Sequence, residues 1–265
     1  GDSGRGNFVN PPTASRQSAQ LFDETAVHEE SGAHRTESEQ ARIKATAALV
    51  PPETRTLLDV GCGRGDLLHA IDVPFSVGTD LARRGIRYVR RPATVSSMLS
   101  LPFRDRSFDV VLCAETLEHL DPADLVRATA ELRRIARKSL VITVPYQEDL
   151  LAWSTQCPRC GTLFHLHGHR NVFSPERLKG LFPGASDYAV QGTWPVRPMS
   201  PVLLRFRTEK LGLWKFGRFA HCPECGNEAF DNQERRLLYK GVDLLNSMLH
   251  PRRSNYRWLL LRVDL

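Results

Sequence analysis

Short apolar runs alternate with amphipathic segments over the first 150 residues of the chain. Two segments have helical spacing: "ESEQARIKATAALV", which Pro51 and Pro52 end, and "DPADLVRATAELRRIAR", where Asp121 is a fitting N-cap and Pro122 a fitting first residue. The runs rich in strand-forming residues are "TLLDV", "FSVGTD", "ATVSSMLSLPF", "SFDVVLC" and "SLVITVP". Strands that alternate with helices predict a parallel α/β sheet covered by helices on both faces.

The regular alternation of apolar runs and amphipathic segments ends after Tyr146. Residues 157–170 hold a CxxC pair and three histidines, and a short capped helix, "SPERLKGLF", follows. "DYAVQGTW" and "YRWLLLRVDL" predict two closing strands, and "QERRLLYKGVDLLNSML" predicts a helix between them. The expected organisation is a disordered arm or tag remnant, a core, an insertion that forms a lid, and a closing helix and strand of the core, at residues 1–20, 21–150, 151–230 and 231–265.

Composition narrows the class of protein. The chain has 265 residues, of which 41% are hydrophobic and 25% charged, which is typical of a globular protein. No apolar run is long enough for a transmembrane helix, and the polar first residues lack the apolar core of a signal peptide. The net charge of +6 permits an anionic partner without requiring one. We therefore expect a cytoplasmic protein in a reducing compartment, whose paired cysteines bind metal.

A glycine turn follows the first predicted strand. "LLDVGCGRGDLL" places Gly61, Gly63 and Gly65 between that strand and a helix start, where backbone N–H groups can face a ligand. Asp80 ends the next strand, at the position where a carboxylate can accept hydrogen bonds from ribose hydroxyls. The spacing is GxGxG rather than the GxGxxG of dinucleotide folds. A tight turn that serves only close packing is the alternative interpretation.

Together with Asp59 and "LPFRDRSFDVVLC", this turn resembles the class I S-adenosylmethionine-dependent methyltransferases over roughly residues 40–150. The resemblance implies a doubly wound, Rossmann-like sheet of seven strands and S-adenosylmethionine as cofactor. The residues that it implies for the cofactor site are Asp59, Gly61, Cys62, Gly63, Gly65, Asp80, Leu81, Ser97, Met98 and Cys113.

Two of these positions depart from a simple match. Many relatives carry an aspartate where this chain has Ser97, so the contact to the adenine amino group would fall to the Ser97 hydroxyl or to a backbone carbonyl. Cys113, just after the fourth strand, has a second interpretation as a small buried hydrophobic residue.

The stretch "AETLEHLDP" carries an ExxEH pattern. If Thr116 to Leu120 are helical, Glu115, Glu118 and His119 share one face at the carboxyl end of the fourth strand. A solvated first turn is the alternative.

The pattern resembles ubiquinone-pathway O-methyltransferases and the 2′-O-methyltransferases that modify the 3′ end of small RNAs. In those groups a later histidine, here His169 in "GHRNVFSPERL", completes a divalent cation site. The resemblance implies the ligands Glu115, Glu118, His119 and His169, for Mg²⁺ or another divalent cation. Without a cation, His119 or His169 would serve as general base, and we count Glu115 with them as catalytic.

Two knuckles of one form, "QCPRCGTLF" and "HCPECGNEAF", resemble a zinc ribbon. Four thiolates would close a tetrahedral structural zinc site, and the ligands would be Cys157, Cys160, Cys222 and Cys225. His165 and His167 would then line the acceptor pocket or lie at the surface.

These observations predict a methyltransferase that acts on an oxygen of a small-molecule or sugar-containing acceptor. An RNA 2′-O-methyltransferase and a non-catalytic binding module of the same fold are the alternatives. The basic tail "HPRRSNYRWLLLRV" could contact nucleic acid, but its alternation from Asn255 favours a closing strand with one solvated face. The sequence does not name the acceptor or the oligomeric state.

Overall fold

A seven-stranded sheet organises the chain. The computed structural model describes residues 36–184, 187–215, 220–230, 236–250, 252 and 255–265, so the arm expected at residues 1–20 lies outside the described residues. The strands are β1 (Thr56–Val60), β2 (Phe75–Asp80), β3 (Ala93–Val95), β4 (Phe108–Ala114), β5 (Ala136–Pro145), β6 (Ser154–Gln156), β7 (Leu163–His165), β8 (Asp187–Val196) and β9 (Asn255–Asp264).

The main sheet has the order β3-β2-β1-β4-β5-β9-β8. The first five strands are parallel, and β9 runs antiparallel to both β5 and β8. The remaining two strands, β6 and β7, form a separate antiparallel hairpin. This is the doubly wound α/β sheet that the sequence predicts, and the carboxyl ends of β1, β2, β4 and β5 meet at the edge where such sheets bind ligands.

Helices cover both faces of the sheet. They are α1 (Glu37–Ala48), α2 (Asp66–Ala70), α3 (Arg83–Ile86), α4 (Leu125–Ile135), α5 (Pro175–Gly180), α6 (Pro201–Arg205) and α7 (Arg236–Leu249). Short 3₁₀ turns span Leu117–His119, Pro122–Asp124 and Leu150–Trp153, and a π turn spans Phe206–Lys210. Among the described residues, no helix has the length and apolar character needed to cross a bilayer.

Strand residues alternate between two buried cores. Val111 and Cys113 pack into the core beneath α4 and α5, whereas Val110 and Leu112 pack into the core beneath α1 and α2. All seven residues of β4 are buried, as expected for a strand covered on both faces. The Asp121 side chain accepts a hydrogen bond from the backbone N–H of Ala123, which confirms its capping role, although the first turn is 3₁₀ and α4 begins at Leu125.

Three sequence predictions need correction. The run "ATVSSMLSLPF" forms a strand only at Ala93–Val95, because the Ser97 hydroxyl then accepts the Leu99 N–H and turns the chain. Strand β8 lies inside residues 151–230 but pairs with β9 in the main sheet, so that range is not one separate insertion. The expected solvated face of the last strand is absent over Trp258–Leu261, because four consecutive residues there are buried and both faces of β9 are therefore covered.

Helix α7 turns its apolar residues outward. Its inward residues are polar: Asn246 hydrogen-bonds the backbone at Pro198 and Ser200, and Asp243 pairs with Arg207. Its exposed apolar residues are Leu237, Leu238, Leu244, Leu245, Met248 and Leu249. Nothing within the described ranges covers this face.

Candidate active site

The glycine turn after β1 allows neighbouring groups to come close to its backbone. The N–H groups of Gly61 and Cys62 donate to the Thr79 carbonyl, at 2.7 and 3.0 Å, and so fasten the turn to β2. Gly61 has φ +75°, and a Cβ there would lie 2.2 Å from Thr116 Oγ1. Gly63 has φ +51°, and a Cβ there would meet nothing within 4 Å. Gly61 therefore packs the turn against the ExxEH segment, while Gly63 borders open space that a ligand can enter.

Asp80, at the end of β2, faces the same turn. Its Oδ2 accepts the Gly63 N–H at 2.7 Å, and its Oδ1 accepts the Ala82 N–H at 2.8 Å. An ionised carboxylate offers about four acceptor positions, so a carboxylate at this place can accept from ribose hydroxyls as well as from backbone N–H groups. Behind it, burial and the negative charge of Asp80 raise the pKa of Asp59 to about 7.

The other residues expected at the cofactor lie at different depths. Cys113 is completely buried in the core, where burial raises the pKa of its thiol, as its second interpretation anticipated. Met98 and Cys62 are also buried, and Leu81 and Ser97 are half-buried.

The ExxEH segment does not form the helix expected over Thr116 to Leu120. Glu115 has φ 52°, and its N–H still pairs with the Thr143 carbonyl of β5 at 2.8 Å. A single 3₁₀ turn follows at Leu117–His119. The segment cannot wind further because the Glu118 carbonyl accepts N–H groups of residues 170 and 171, and the Asn171 amide donates to the Leu120 carbonyl at 2.8 Å.

Three of the four proposed cation ligands nevertheless converge. One ligand atom from each of Glu118, His119 and His169 lies within 4.8 Å of the others, and the two imidazole rings are 4.8 Å apart at 78°. Glu118 is completely buried, and within the described residues neither of its carboxylate oxygens has a hydrogen-bond partner. Burial, with the charge of Glu115, raises the pKa of Glu118. A buried carboxylate of this kind is costly unless it is protonated or faces a cation, so the donor set fits a divalent ion.

Glu115 is held elsewhere. Its Oε2 accepts the Trp258 indole N–H at 2.7 Å, and its Oε1 is buried with no hydrogen-bond partner among the described residues. Burial raises the pKa of Glu115, and the nearby Arg42 and His169 oppose that shift. The structure thus groups Glu118, His119 and His169, and anchors Glu115 to β9 beside them.

Burial also affects His119. It lowers the pKa of the imidazole well below the usual value, and the neighbouring His169 acts in the same direction. A neutral imidazole can bind a cation or accept a proton, so both roles considered for His119 remain chemically open.

Sequence reasoning missed Glu148. This residue lies three positions beyond β5, and its Oε2 is 2.5 Å from His169 Nδ1, with Oε1 3.7 Å from His165 Nε2. Burial opposes ionisation of Glu148, but the hydrogen bond with His169 and the nearby imidazole of His165 outweigh it and lower its pKa to about 2. The signal that could have found it is a carboxylate at the same strand edge as the alternating histidines of "HLHGH".

The four knuckle cysteines also meet. Cys157 and Cys225 have their sulfurs 3.6 Å apart, as do Cys160 and Cys222, and all four lie within 4.8 Å. These distances are far beyond a disulfide bond of about 2.05 Å. They approach the roughly 3.8 Å edge of a tetrahedron with metal–sulfur bonds of about 2.3 Å. The donor set therefore fits zinc.

The chain was compared with known proteins. Residues 58–142 match the family described as "Methyltransferase domain". The chain carries a class I methyltransferase domain.

Curated relatives include two ubiquinone biosynthesis O-methyltransferases. The one from Neisseria meningitidis is 33% identical over 93 residues, 29% of this chain and 39% of the relative. The one from Caulobacter vibrioides is 30% identical over 172 residues, 57% of this chain and 66% of the relative. The chain thus spans less than two thirds of the length of these relatives.

A solved structure supports the fold over nearly the whole domain. A SAM-dependent methyltransferase from Archaeoglobus fulgidus has a TM-score of 0.54 and 18% identity, and the match covers 90% of this chain and 98% of that one. At this identity the likeness concerns the fold of the methyltransferase domain, and the chemistry must be argued from the site.

Proposed function

We propose that this chain is an S-adenosylmethionine-dependent O-methyltransferase that acts on a small hydroxylated acceptor with the help of a divalent cation. The observation that carries the proposal is the cluster of the buried Glu118 with the half-buried His119 and His169, at the same strand edge as the glycine turn and Asp80. Thr116 packs so closely against Gly61 that only a glycine fits at this position. The glycine turn and the ExxEH segment are therefore direct neighbours.

The turn and Asp80 would hold the cofactor. The ribose hydroxyls would donate to the Asp80 carboxylate, and the open side of Gly63 would admit the methionine end. S-adenosylmethionine, when bound, supplies an activated methyl group. The residues of this chain have to align the acceptor oxygen, exclude water and help to remove its proton.

Glu118, His119 and His169 would hold the cation. A divalent ion held there would lower the pKa of a coordinated hydroxyl and fix its direction. The acceptor oxygen gains the methyl group and loses its proton, and S-adenosylhomocysteine leaves. Two hydroxyls on adjacent carbons offer such an ion a chelate, which supports vicinal diols and catechols as acceptors.

The names of the relatives also support a hydroxylated ring as the acceptor. The two ubiquinone biosynthesis O-methyltransferases and a demethylmenaquinone methyltransferase from Roseiflexus, 32% identical over 107 residues, are named for quinone pathways. We therefore place small hydroxylated rings first among the acceptors to be tested, with sugar-containing metabolites second.

We also propose that Cys157, Cys160, Cys222 and Cys225 bind one structural zinc. Four thiolates leave no open position, so this zinc would take no part in catalysis. It would tie the β6–β7 hairpin, which ends at His165, to residues 220–230.

The test is a transfer assay. Methyl-labelled S-adenosylmethionine is incubated with the protein and a panel of catechols, single phenols and sugar diols, with Mg²⁺, with Mn²⁺ or with chelator. We expect label on vicinal diols, loss with chelator, and recovery with either cation. Transfer that is equal with and without chelator would contradict the cation role. Absence of S-adenosylhomocysteine binding by calorimetry would contradict the enzyme assignment itself.

A further inference from the structure

Glu148 connects two histidines beside the proposed cation cluster. Its side chain is 13% exposed, and those of His165 and His169 are 2% and 11% exposed, so the three groups are shielded from water. Glu148 Oε2 is 2.5 Å from His169 Nδ1, and Oε1 is 3.7 Å from His165 Nε2. The two imidazole rings are stacked, with centroids 4.5 Å apart and an angle of 19°.

The backbone fixes the tautomer of His165. Its Nδ1 accepts two hydrogen bonds, from the N–H groups of His167 and His169, each at 3.2 Å. A neutral imidazole has one donor and one acceptor nitrogen, so the proton of His165 lies on Nε2, the atom that faces Glu148. A protonated nitrogen cannot bind a metal. Although Glu148, His165 and His169 are close enough to hold an ion together, the hydrogen bonds favour a polar network instead.

The same reasoning applies to His169. A carboxylate accepts hydrogen bonds and donates none, so the proton of His169 lies on Nδ1, toward Glu148. Nε2 then keeps its lone pair, and it is the nitrogen left for the cluster that His169 forms with Glu118 and His119. The ring is thus fixed on one side by Glu148 and stacked on its face by His165.

We propose that Glu148 is a positioning residue that holds His169 in the Nδ1–H form with Nε2 directed at the cation cluster. The inference rests on the proposed function, because it assumes a cation at Glu118, His119 and His169. Histidine ligands commonly donate their second N–H to a carboxylate, which orients the ring and raises its basicity, and loss of that carboxylate typically lowers metal affinity 10–100-fold.

The experiment measures Mn²⁺ binding rather than turnover. The full chain, with its zinc content verified by metal analysis, is titrated with Mn²⁺ in saturating S-adenosylhomocysteine and followed by electron paramagnetic resonance. The variants are Glu148→Ala and Glu148→Gln, and Glu53→Ala is the matched control because Glu53 is exposed and lies outside the site. We expect one Mn²⁺ per chain, weakened roughly 10–100-fold in Glu148→Ala and less in Glu148→Gln, whose amide oxygen still accepts the Nδ1–H.

The outcomes separate the two proposals. Wild-type protein that binds S-adenosylhomocysteine but no Mn²⁺ would overturn the cation role and this inference with it. Wild-type protein that binds one Mn²⁺ with unchanged affinity in Glu148→Ala would overturn this inference alone. Two Mn²⁺ per chain, with one lost in Glu148→Ala, would make Glu148 a ligand and would also overturn it.

A second measurement does not depend on how the variants fold. The nitrogen-15 resonances of the histidine rings of the wild-type protein report the tautomer directly. We expect His169 as the Nδ1–H form and His165 as the Nε2–H form in the cation-free protein. An Nε2–H form of His169 would overturn the proposal.

Discussion

At the scale of single residues, the site contains buried polar groups. Some of them have a specific hydrogen-bond partner that offsets the cost of burial, and others are placed to contact a ligand. Asp80 is partnered by two backbone N–H groups and Glu148 by the imidazole of His169. Glu118 is the exception, since both of its oxygens are buried without a hydrogen-bond partner among the described residues. Perturbed, buried titratable groups of this kind cluster at functional sites.

The glycines, Asp80 and ExxEH were visible in the sequence because each follows a strand at a fixed spacing. Glu148 was not, because its importance depends on a contact to His169 across 21 residues that no local pattern encodes. Nor does any spacing rule show that Glu115 turns to the indole of Trp258, on the last strand.

Asp80→Ala is the first prediction at this scale. The loss of charge-assisted hydrogen bonds to the ribose should weaken S-adenosylhomocysteine binding by roughly 1.5–3 kcal/mol. Calorimetric titration measures it, with Asp72→Ala as control, since Asp72 is exposed and lies between α2 and β2. Equal dissociation constants for Asp80→Ala and the control would refute the ribose assignment.

At the scale of elements, hydrophobic periodicity located the seven strands of the main sheet and the longer helices, but not the β6–β7 hairpin or always the face that each element buries. Strand β9 is an interior strand, paired with β5 and β8, and it is buried on both faces over Trp258–Leu261. Helix α7 packs through Asn246 and Asp243 rather than through its leucines. A pattern reports which residues share a face, whereas the choice of the inward face depends on partners that are distant in sequence.

The β6–β7 hairpin gives the second prediction. Cys222→Ser should release the zinc and lower the melting temperature, because ligand binding at such sites is coupled to folding. Metal analysis of protein purified without added zinc, together with a thermal scan, checks both. The control is Cys113→Ala, which removes a buried core sulfur and should leave one zinc per chain. Wild-type protein that lacks zinc but has the same melting temperature as zinc-containing protein would contradict the structural role.

At the scale of the whole molecule, Asp109 at the start of β4 connects this strand with the two neighbouring strands, β1 and β5. Its buried carboxylate accepts the N–H groups of Arg55 and Thr56 before and in β1, and it pairs with Arg137 and Lys138 of β5. Burial opposes ionisation, but the hydrogen bonds from Arg137, the backbone at Arg55 and Lys138 outweigh it and hold the pKa of Asp109 well below its usual value.

The lowered pKa of Asp109 predicts that the free energy of unfolding depends on pH. A carboxyl group with a lowered pKa in the folded state contributes stability above its unfolded pKa of about 3.9, and that contribution is lost as the pH falls toward the folded value. Asp109→Asn should cost about 1–3 kcal/mol in unfolding free energy at neutral pH, and the difference from wild type should shrink below about pH 4. Denaturant titrations at several pH values measure it. A difference that is independent of pH would contradict the assignment.

The central claim is that the cluster of Glu118, His119 and His169 serves the acceptor and neither the fold nor the cofactor. Glu118→Gln tests it most directly, because the replacement keeps the shape of the buried side chain and removes the carboxylate that a cation would bind. Turnover, S-adenosylhomocysteine binding and unfolding free energy are measured on this variant and on Glu53→Ala. We predict turnover lowered by roughly 10²–10⁴, with cofactor affinity unchanged and stability equal to wild type or higher. Wild-type turnover in Glu118→Gln, or a loss of cofactor binding or stability equal to the loss of turnover, would contradict the account.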